Sequence, residues 1–252
     1  MPERFKNISL LLILCITCII HAKGQDTTKN KELINFFINM KNAYSQTAAL
    51  SFSVKYTYSD EQKPSMIIDS LSGNYKISGS NYWCMLDSTE TLKADSIVIV
   101  LFRRDKMMYV SKIASQAGFN PAEQVKIFLA TFKKIQFHID TTGNNYELSV
   151  DFPPGSDYKN IYLQVDRSTG YLVQSVYILR TKMLVDNPGN EINNNGEYSE
   201  FARVQADYLY NTKSDAPGFF FNENRYITQV GGKIITTKAF KDYQLFFGNK
   251  NH

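Results

Sequence analysis

The stretch Asn81–Leu86, NYWCML, sets the only tryptophan of the chain, Trp83, beside Cys84, the only cysteine beyond residue 24. A thiol attacks, ligates metal or exchanges electrons as its thiolate, which requires nearby cations and exposure that lower its pKa. Cys84 instead has Tyr82, Trp83, Met85 and Leu86 around it. In an extended strand Tyr82, Cys84 and Leu86 share one face, and Trp83 and Met85 share the other. Both faces are apolar, so the cysteine reads as a small hydrophobe. A strand apolar on both faces needs cover on both sides, whether helix, strand, partner or ligand. Trp83 should therefore report on the hydrophobic interior.

The remaining chemistry is sparse. Beyond residue 24 the histidines are His138 and the final residue, His252. A Ser–His–Asp or Cys–His arrangement would have to use His138, which lies in the strand-like run IQFHID and reads as a partly exposed structural histidine. A zinc site takes three or four clustered ligands, which one histidine and one cysteine do not supply. There is no phosphate loop, dinucleotide fingerprint or HExxH motif. Asp69, Asp87 and Glu90 flank predicted turns, where carboxylates are solvated. The expectation is no catalytic residue, no metal and no cofactor.

The elements that position these residues begin after a leader. Arg4 and Lys6 precede an apolar run from Ile8 to Ile20, and Ala22-Lys23-Gly24 offers small residues at the positions read by a signal peptidase. The run is short of the ~20 residues that span a bilayer. Leu14 and Thr17 precede Cys15 and Cys18, where a lipoprotein signal has a small residue, so no lipid anchor is expected. Residues 1–24 read as a secretory signal and 25–252 as one domain, placed in the periplasm. Removal of the leader leaves 25 basic and 23 acidic side chains. That near-neutral balance, without a basic block, argues against nucleic acid. With Cys84 alone remaining, stability must come from a core, which about 228 residues can bury without staples.

Leu33, Phe37, Met40, Tyr44 and Ala48 recur at three- and four-residue steps and predict a helix over 27–48. In LSFSVKYTYS, Leu50, Phe52, Val54, Tyr56 and Tyr58 alternate with polar residues, a half-buried strand. Strands are predicted near 64–70, 73–79, 81–87, 96–103 and 107–113. Asn120-Pro121-Ala122-Glu123 opens a second helix with Val125, Phe128, Leu129 and Phe132 on its apolar face. Strands resume at 135–140, 145–152, 160–166, 171–180, 198–211, 226–230 and 239–247. Asp166–Gly170, DRSTG, is a turn, and 186–196, DNPGNEINNNG, a long hairpin loop. Strand following strand predicts an antiparallel sheet.

This order of elements, with the phrases LSFSVKYTYSD, GNYKISGSNYWCML, IVIVLFRRDKMMYVSK and VDRSTGYLVQ, resembles the superfamily of the periplasmic lipoprotein carrier LolA over about residues 27–247. The resemblance implies an α+β half-barrel of about 11 antiparallel strands, strongly curved, with two or three helices on the concave face. It implies a cavity there that binds acyl chains, and a cavity arginine, for which Arg103 and Arg104 are the candidates. On that reading Phe52, Val54, Tyr56, Tyr82, Trp83, Met85, Ile99, Leu101, Met108, Phe128 and Phe132 are the candidate cavity residues. The expected function is a non-catalytic periplasmic carrier of a lipid, a lipoprotein acyl chain or another hydrophobic ligand. The alternative is an accessory component of a cell-envelope assembly that holds a protein partner and no small ligand. Either is compatible with peripheral membrane contact. The leader yields a first prediction: the exported protein should begin at or near Gln25 on N-terminal sequencing, and an intact Met1 would overturn it.

Overall fold

The computed structural model describes residues 27–47, 49–95, 97–112, 135–184, 199–211 and 218–248. The leader, the helix expected from Asn120 with Phe128 and Phe132, and the loop expected at 186–196 lie outside these residues. Among the described residues one α-helix, α1 (Thr27–Gln46), precedes fourteen strands. They are β1 (Ala49–Asp60), β2 (Ile67–Ser78), β3 (Asn81–Leu86), β4 (Thr89–Ala94), β5 (Ile97–Phe102), β6 (Met107–Lys112) and β7 (Gln136–Thr142), followed by β8 (Asn145–Asp151), β9 (Tyr158–Asp166), β10 (Leu172–Arg180), β11 (Phe201–Tyr210), β12 (Ile227–Val230), β13 (Lys233–Thr236) and β14 (Gln244–Phe247). Twelve form one open sheet in the order β14-β6-β5-β4-β3-β2-β1-β11-β10-β9-β8-β7, and β12 and β13 make a separate hairpin. No described helix is long and apolar enough to cross a membrane.

Four expectations change. The described residues hold one helix rather than two or three, and twelve strands in the sheet rather than about eleven. The predicted strands at 64–70 and 73–79 are one continuous strand, β2. The sheet is not wholly antiparallel: β2 through β6 and β7 through β11 pair antiparallel, but β14 joins β6 in parallel. A hairpin can only reverse direction, whereas a parallel neighbour requires the chain to return first to the same end.

The chain divides into two compact units, one of residues 1–46, 55–71 and 120–208, the other of residues 47–54, 72–119 and 209–252. In the first, strict alternation sorts β8 and β9. Leu148 pairs with Leu163 and Val150 with Ile161, all buried, while Glu147 faces Gln164 and Asp151 faces Asn160 on the polar side. Gln164 donates to Glu147 at 3.2 Å and Asn160 to Asp151 at 2.9 Å. Helix α1 buries Phe36, Phe37, Met40 and Tyr44. The backbone N–H of Leu172 donates to the Tyr44 hydroxyl at 3.3 Å. Burial, with Tyr56, Tyr177 and Tyr44 around it, pushes the Tyr208 hydroxyl well above its ordinary range.

The predicted Asp166–Gly170 turn forms as read. Asp166 Oδ1 accepts from the hydroxyls and backbone N–H groups of Ser168 and Thr169, bonds that hold its carboxyl below the usual range. Gly170 has φ of 72°, and a Cβ there would lie 2.6 Å from the Ala43 Cβ of α1. The turn therefore admits the helix only because position 170 lacks a side chain. Gly170→Ala should cost at least about 1–3 kcal/mol from the backbone alone, read as a lower urea midpoint. Adding Ala43→Gly should recover only the part due to the collision.

In the second unit, two hairpins repeat one solution. Leu86 pairs with Thr89, so the β3–β4 loop is the dipeptide Asp87-Ser88, and Ala94 pairs with Ile97 across the next turn, which Asp95 opens. Asp87 and Asp95 take φ of 49° and 29°, the left-handed region that aspartate enters more readily than most residues. These tight loops stack β2–β6 in register and fix which side chains share a face.

Candidate functional site

Cross-strand pairs in an antiparallel sheet lie on one face, so the registers of β2–β6 and β14 assign every side chain. On the Trp83 face one row runs Lys76, Trp83, Leu92, Ile99, Val110. The next runs Asn74, Met85, Glu90, Leu101, Met108, Leu245. On the Cys84 face the rows are Ile77, Tyr82, Lys93, Val98, Ser111, then Tyr75, Cys84, Thr91, Val100, Tyr109, Phe246, then Gly73, Leu86, Thr89, Phe102, Met107, Gln244.

The Trp83 face is sealed by its own chain. Leu92, Ile99, Leu101, Met108 and Val110 form one buried cluster with Tyr226 and Ile227, and Phe221, Ile234, Phe240, Tyr243 and Leu245 pack against it. Each fully buried aliphatic side chain there is worth about 1.5–3 kcal/mol relative to water. The Trp83 ring meets Phe220 at a centroid distance of 4.9 Å. Lys76 lies 4.7 Å from the Phe220 centroid and donates to Ser51 at 3.1 Å. The Arg225 guanidinium stands 4.0 Å from the Phe219 centroid. Its buried Nη1 has no hydrogen-bond partner, and the π-face supplies the attraction instead.

At the centre of this face is a carboxylate. Glu90 is 1% exposed. Its Oε1 accepts from the Trp83 indole N–H and the Tyr226 hydroxyl, each at 2.6 Å, and its Oε2 accepts from Arg103 Nε at 3.0 Å and also from Arg103 Nη2. Burial alone would raise the Glu90 carboxyl, but the bonds from Tyr226, Trp83 and Arg103 and the guanidinium charge bring it below its ordinary value. Burial and the neighbouring Glu90 push the Tyr226 hydroxyl up. The expectation of a solvated Glu90 fails because the loop before it is only two residues long, which starts β4 at Thr89 and turns Glu90 into the core. Asp87 does stay at the surface, paired with Arg104 at 2.9 Å. Arg103, offered as a cavity arginine, is committed to Glu90.

The Cys84 face differs. Tyr82, Cys84, Leu86, Val98, Val100, Phe102 and Met107 are half-buried and Tyr109 is exposed. Phe52 stacks on Tyr75 at 5.1 Å with rings 3° from parallel, which places it on this face, and Tyr109 stacks on Phe246 at 4.8 Å. Burial pushes the Cys84 thiol up to about 11, against the bond from Thr91. The thiol is therefore protonated at neutral pH although the residue is not sealed. Burial, with Cys84 adjoining, pushes Tyr82 up to about 12.

The candidate residues thus divide. Trp83, Met85, Ile99, Leu101 and Met108 lie on the packed face, and Phe52 and Tyr82 on the other, so they do not line one surface. Val54, two positions after Phe52 in β1, is buried. Tyr56 belongs to the first unit, and Phe128 and Phe132 are not among the described residues. Tyr75, Leu86, Val98, Val100, Phe102, Tyr109 and Phe246 were missed; the alternation of IVIVLF, extended by register, was the signal that could have found them. His138 is exposed on the edge strand β7, with Asp140 at 3.7 Å. Among the described residues no group of three or more His, Cys, Asp or Glu side chains could hold a metal ion.

The clasp carries a prediction. A hydrogen bond to a charged group is worth about 1.5–3 kcal/mol, so Tyr226→Phe should lose that much stability at neutral pH. Because folding depresses the Glu90 pKa, the stability it confers is present above the ordinary value of 4.5 and lost as pH falls through the lower folded value. Urea titrations should therefore show the Tyr226→Phe deficit shrinking below pH 4.5, and a pH-independent deficit would contradict the assignment.

No protein-family model matches the chain, and no curated protein matches it. Solved structures do resemble its fold at low identity. An uncharacterised conserved protein from Thermus thermophilus is 8% identical, with 87% of this chain and 99% of that one covered and a TM-score of 0.44. MucB of Pseudomonas aeruginosa, solved in complex with MucA, is 13% identical, with 82% and 63% covered and a TM-score of 0.40; this chain thus spans under two thirds of that protein. A LolA superfamily protein from Nitrosomonas europaea is 10% identical, with 76% and 98% covered and a TM-score of 0.34.

Proposed function

We propose that the protein is a non-catalytic carrier of the cell envelope, exported to the periplasm, that binds a lipid, an acyl chain or another hydrophobic ligand along the Cys84 face of β2–β6. The observation that supports this is the contrast between two faces of the same strands. One is filled by the protein's own Tyr226, Phe240 and Tyr243. The other presents Tyr82, Cys84, Leu86, Val98, Val100 and Phe102 only half-buried. Apolar surface left partly in water is the usual lining of a hydrophobic ligand site. Six positions across the sheet span about 24 Å at the ordinary strand spacing, a length suited to an extended acyl chain. Met107 and Met85 are the adaptable side chains of the two faces.

A second reading, an accessory protein that holds a protein partner, is favoured by one feature of the first unit. Met66, Ile67 and Ile68 are 62%, 52% and 50% exposed at the start of β2. Successive strand residues point to opposite faces, so neither face of this strand end is covered.

Val100→Asp tests the carrier reading, since it puts a charge in the central row of the Cys84 face. Native mass spectrometry of protein purified from the periplasm should find a co-purifying hydrophobic ligand on the wild type and a loss of at least tenfold on the variant. Gln164→Ala, on the polar face of the first unit, is the control and should retain the ligand. Trp83 lies on the opposite face, so its fluorescence should change little on loading. Equal loading of Val100→Asp and wild type, with both folded, would sink the assignment.

A further inference from the structure

On the Cys84 face two polar side chains are about as buried as the apolar Phe52 and Ile77. A sheet with one wet face normally exposes its polar side chains and buries its apolar ones. Here Thr91 and Lys93 are 5% and 8% exposed, while the valines, Leu86 and Phe102 beside them are half-buried. Lys93 sits between Tyr82 and Val98 in its row. A lysine that merely covers apolar surface ends its ammonium in water. The Lys93 ammonium ends instead on a backbone carbonyl, donating to the Ser80 oxygen at 2.6 Å in the β2–β3 turn. That uses one of three donors and neutralises no charge. Among the described residues Lys93 has no carboxylate partner. Glu90, three residues earlier, points through the opposite face and is saturated by Trp83, Tyr226 and Arg103.

A buried cation without a counter-ion is costly, and the cost falls when an anion supplies the missing charge and accepts the remaining protons. We propose that Lys93 receives the anionic headgroup, a carboxylate or a phosphate, of a single-chain amphiphile whose apolar tail lies along Val98, Val100 and Phe102. The assignment rests on the carrier reading and narrows its ligand class: the protein selects acyl ligands by their charged end as well as by their chain. The half-buried apolar side chains cover the tail rather than the head.

Isothermal titration calorimetry of the full mature protein with decanoate, decyl phosphate and decanol below their micellar concentrations separates the possibilities. The wild type should bind at least one of the two anions at least tenfold more tightly than decanol, and the tighter anion identifies the headgroup. Lys93→Met should erase that preference, so that the variant binds the anions no more tightly than decanol. Lys93→Arg, which keeps the charge, should retain most of it. Wild-type protein that binds the three ligands equally, or Lys93→Met that keeps the preference, overturns this proposal and leaves the carrier reading standing. Absence of binding by all three overturns both. Because the wild type alone shows or lacks the preference, an unfolded Lys93→Met would not shield the idea.

Discussion

A carboxylate taken out of water must recover its lost hydration from the protein, and the second unit is arranged around one such group. Glu90 obtains donors from three separate places in the chain: the indole of β3, the guanidinium just after β5 and the phenol of residue 226. Leaving any of these out would strand charge in the core, so the three are fixed together. The consequence is positional. Tyr226 brings with it the segment that carries Phe240 and Tyr243 over the sheet, and one face of β2–β6 becomes interior. The same segment then runs into β14, which pairs with β6 in the parallel sense.

Once one face is sealed, period-two geometry decides the other. Cys84 cannot share a surface with Trp83, however close they stand in sequence, because adjacent strand residues point apart. The neighbours that matter to Cys84 are Tyr75, Thr91 and Val100 across the strands. What results is a half-buried apolar surface on which Thr91 and Lys93 are about as buried as Phe52 and Ile77. A core would have put leucine where Thr91 and Lys93 are, and a solvent face would have left them exposed.

Much of the architecture was legible along the chain. The stripe of Phe37, Met40 and Tyr44 predicted α1, the alternation of residues 50–59 predicted β1, and DRSTG predicted its turn, because each is a local pattern with a local cause. Strand β4 was not legible. TETLKA carries one large apolar residue and two charges, and its strand form comes from neighbours on both sides, an instance of context overriding propensity. A subtler signal was present: Asp-Ser recurs in the sequence at 87–88 and 95–96, eight residues apart, and Asp87 and Asp95 open the turns of two consecutive hairpins.

The sequence by itself determined a thiol at Cys84 held among apolar side chains and strands apolar enough on both sides to require cover. Those properties follow from composition and from the two-residue period of a strand, neither of which depends on distant parts of the chain. Only the tertiary structure decided which side of NYWCML is core. It did so through a bond between residues 90 and 226, a pairing across 136 positions that no local pattern encodes. The same long-range contact made Glu90 a buried structural charge, kept Arg103 on it, and left Cys84, Val98 and Val100 half-buried on the other face.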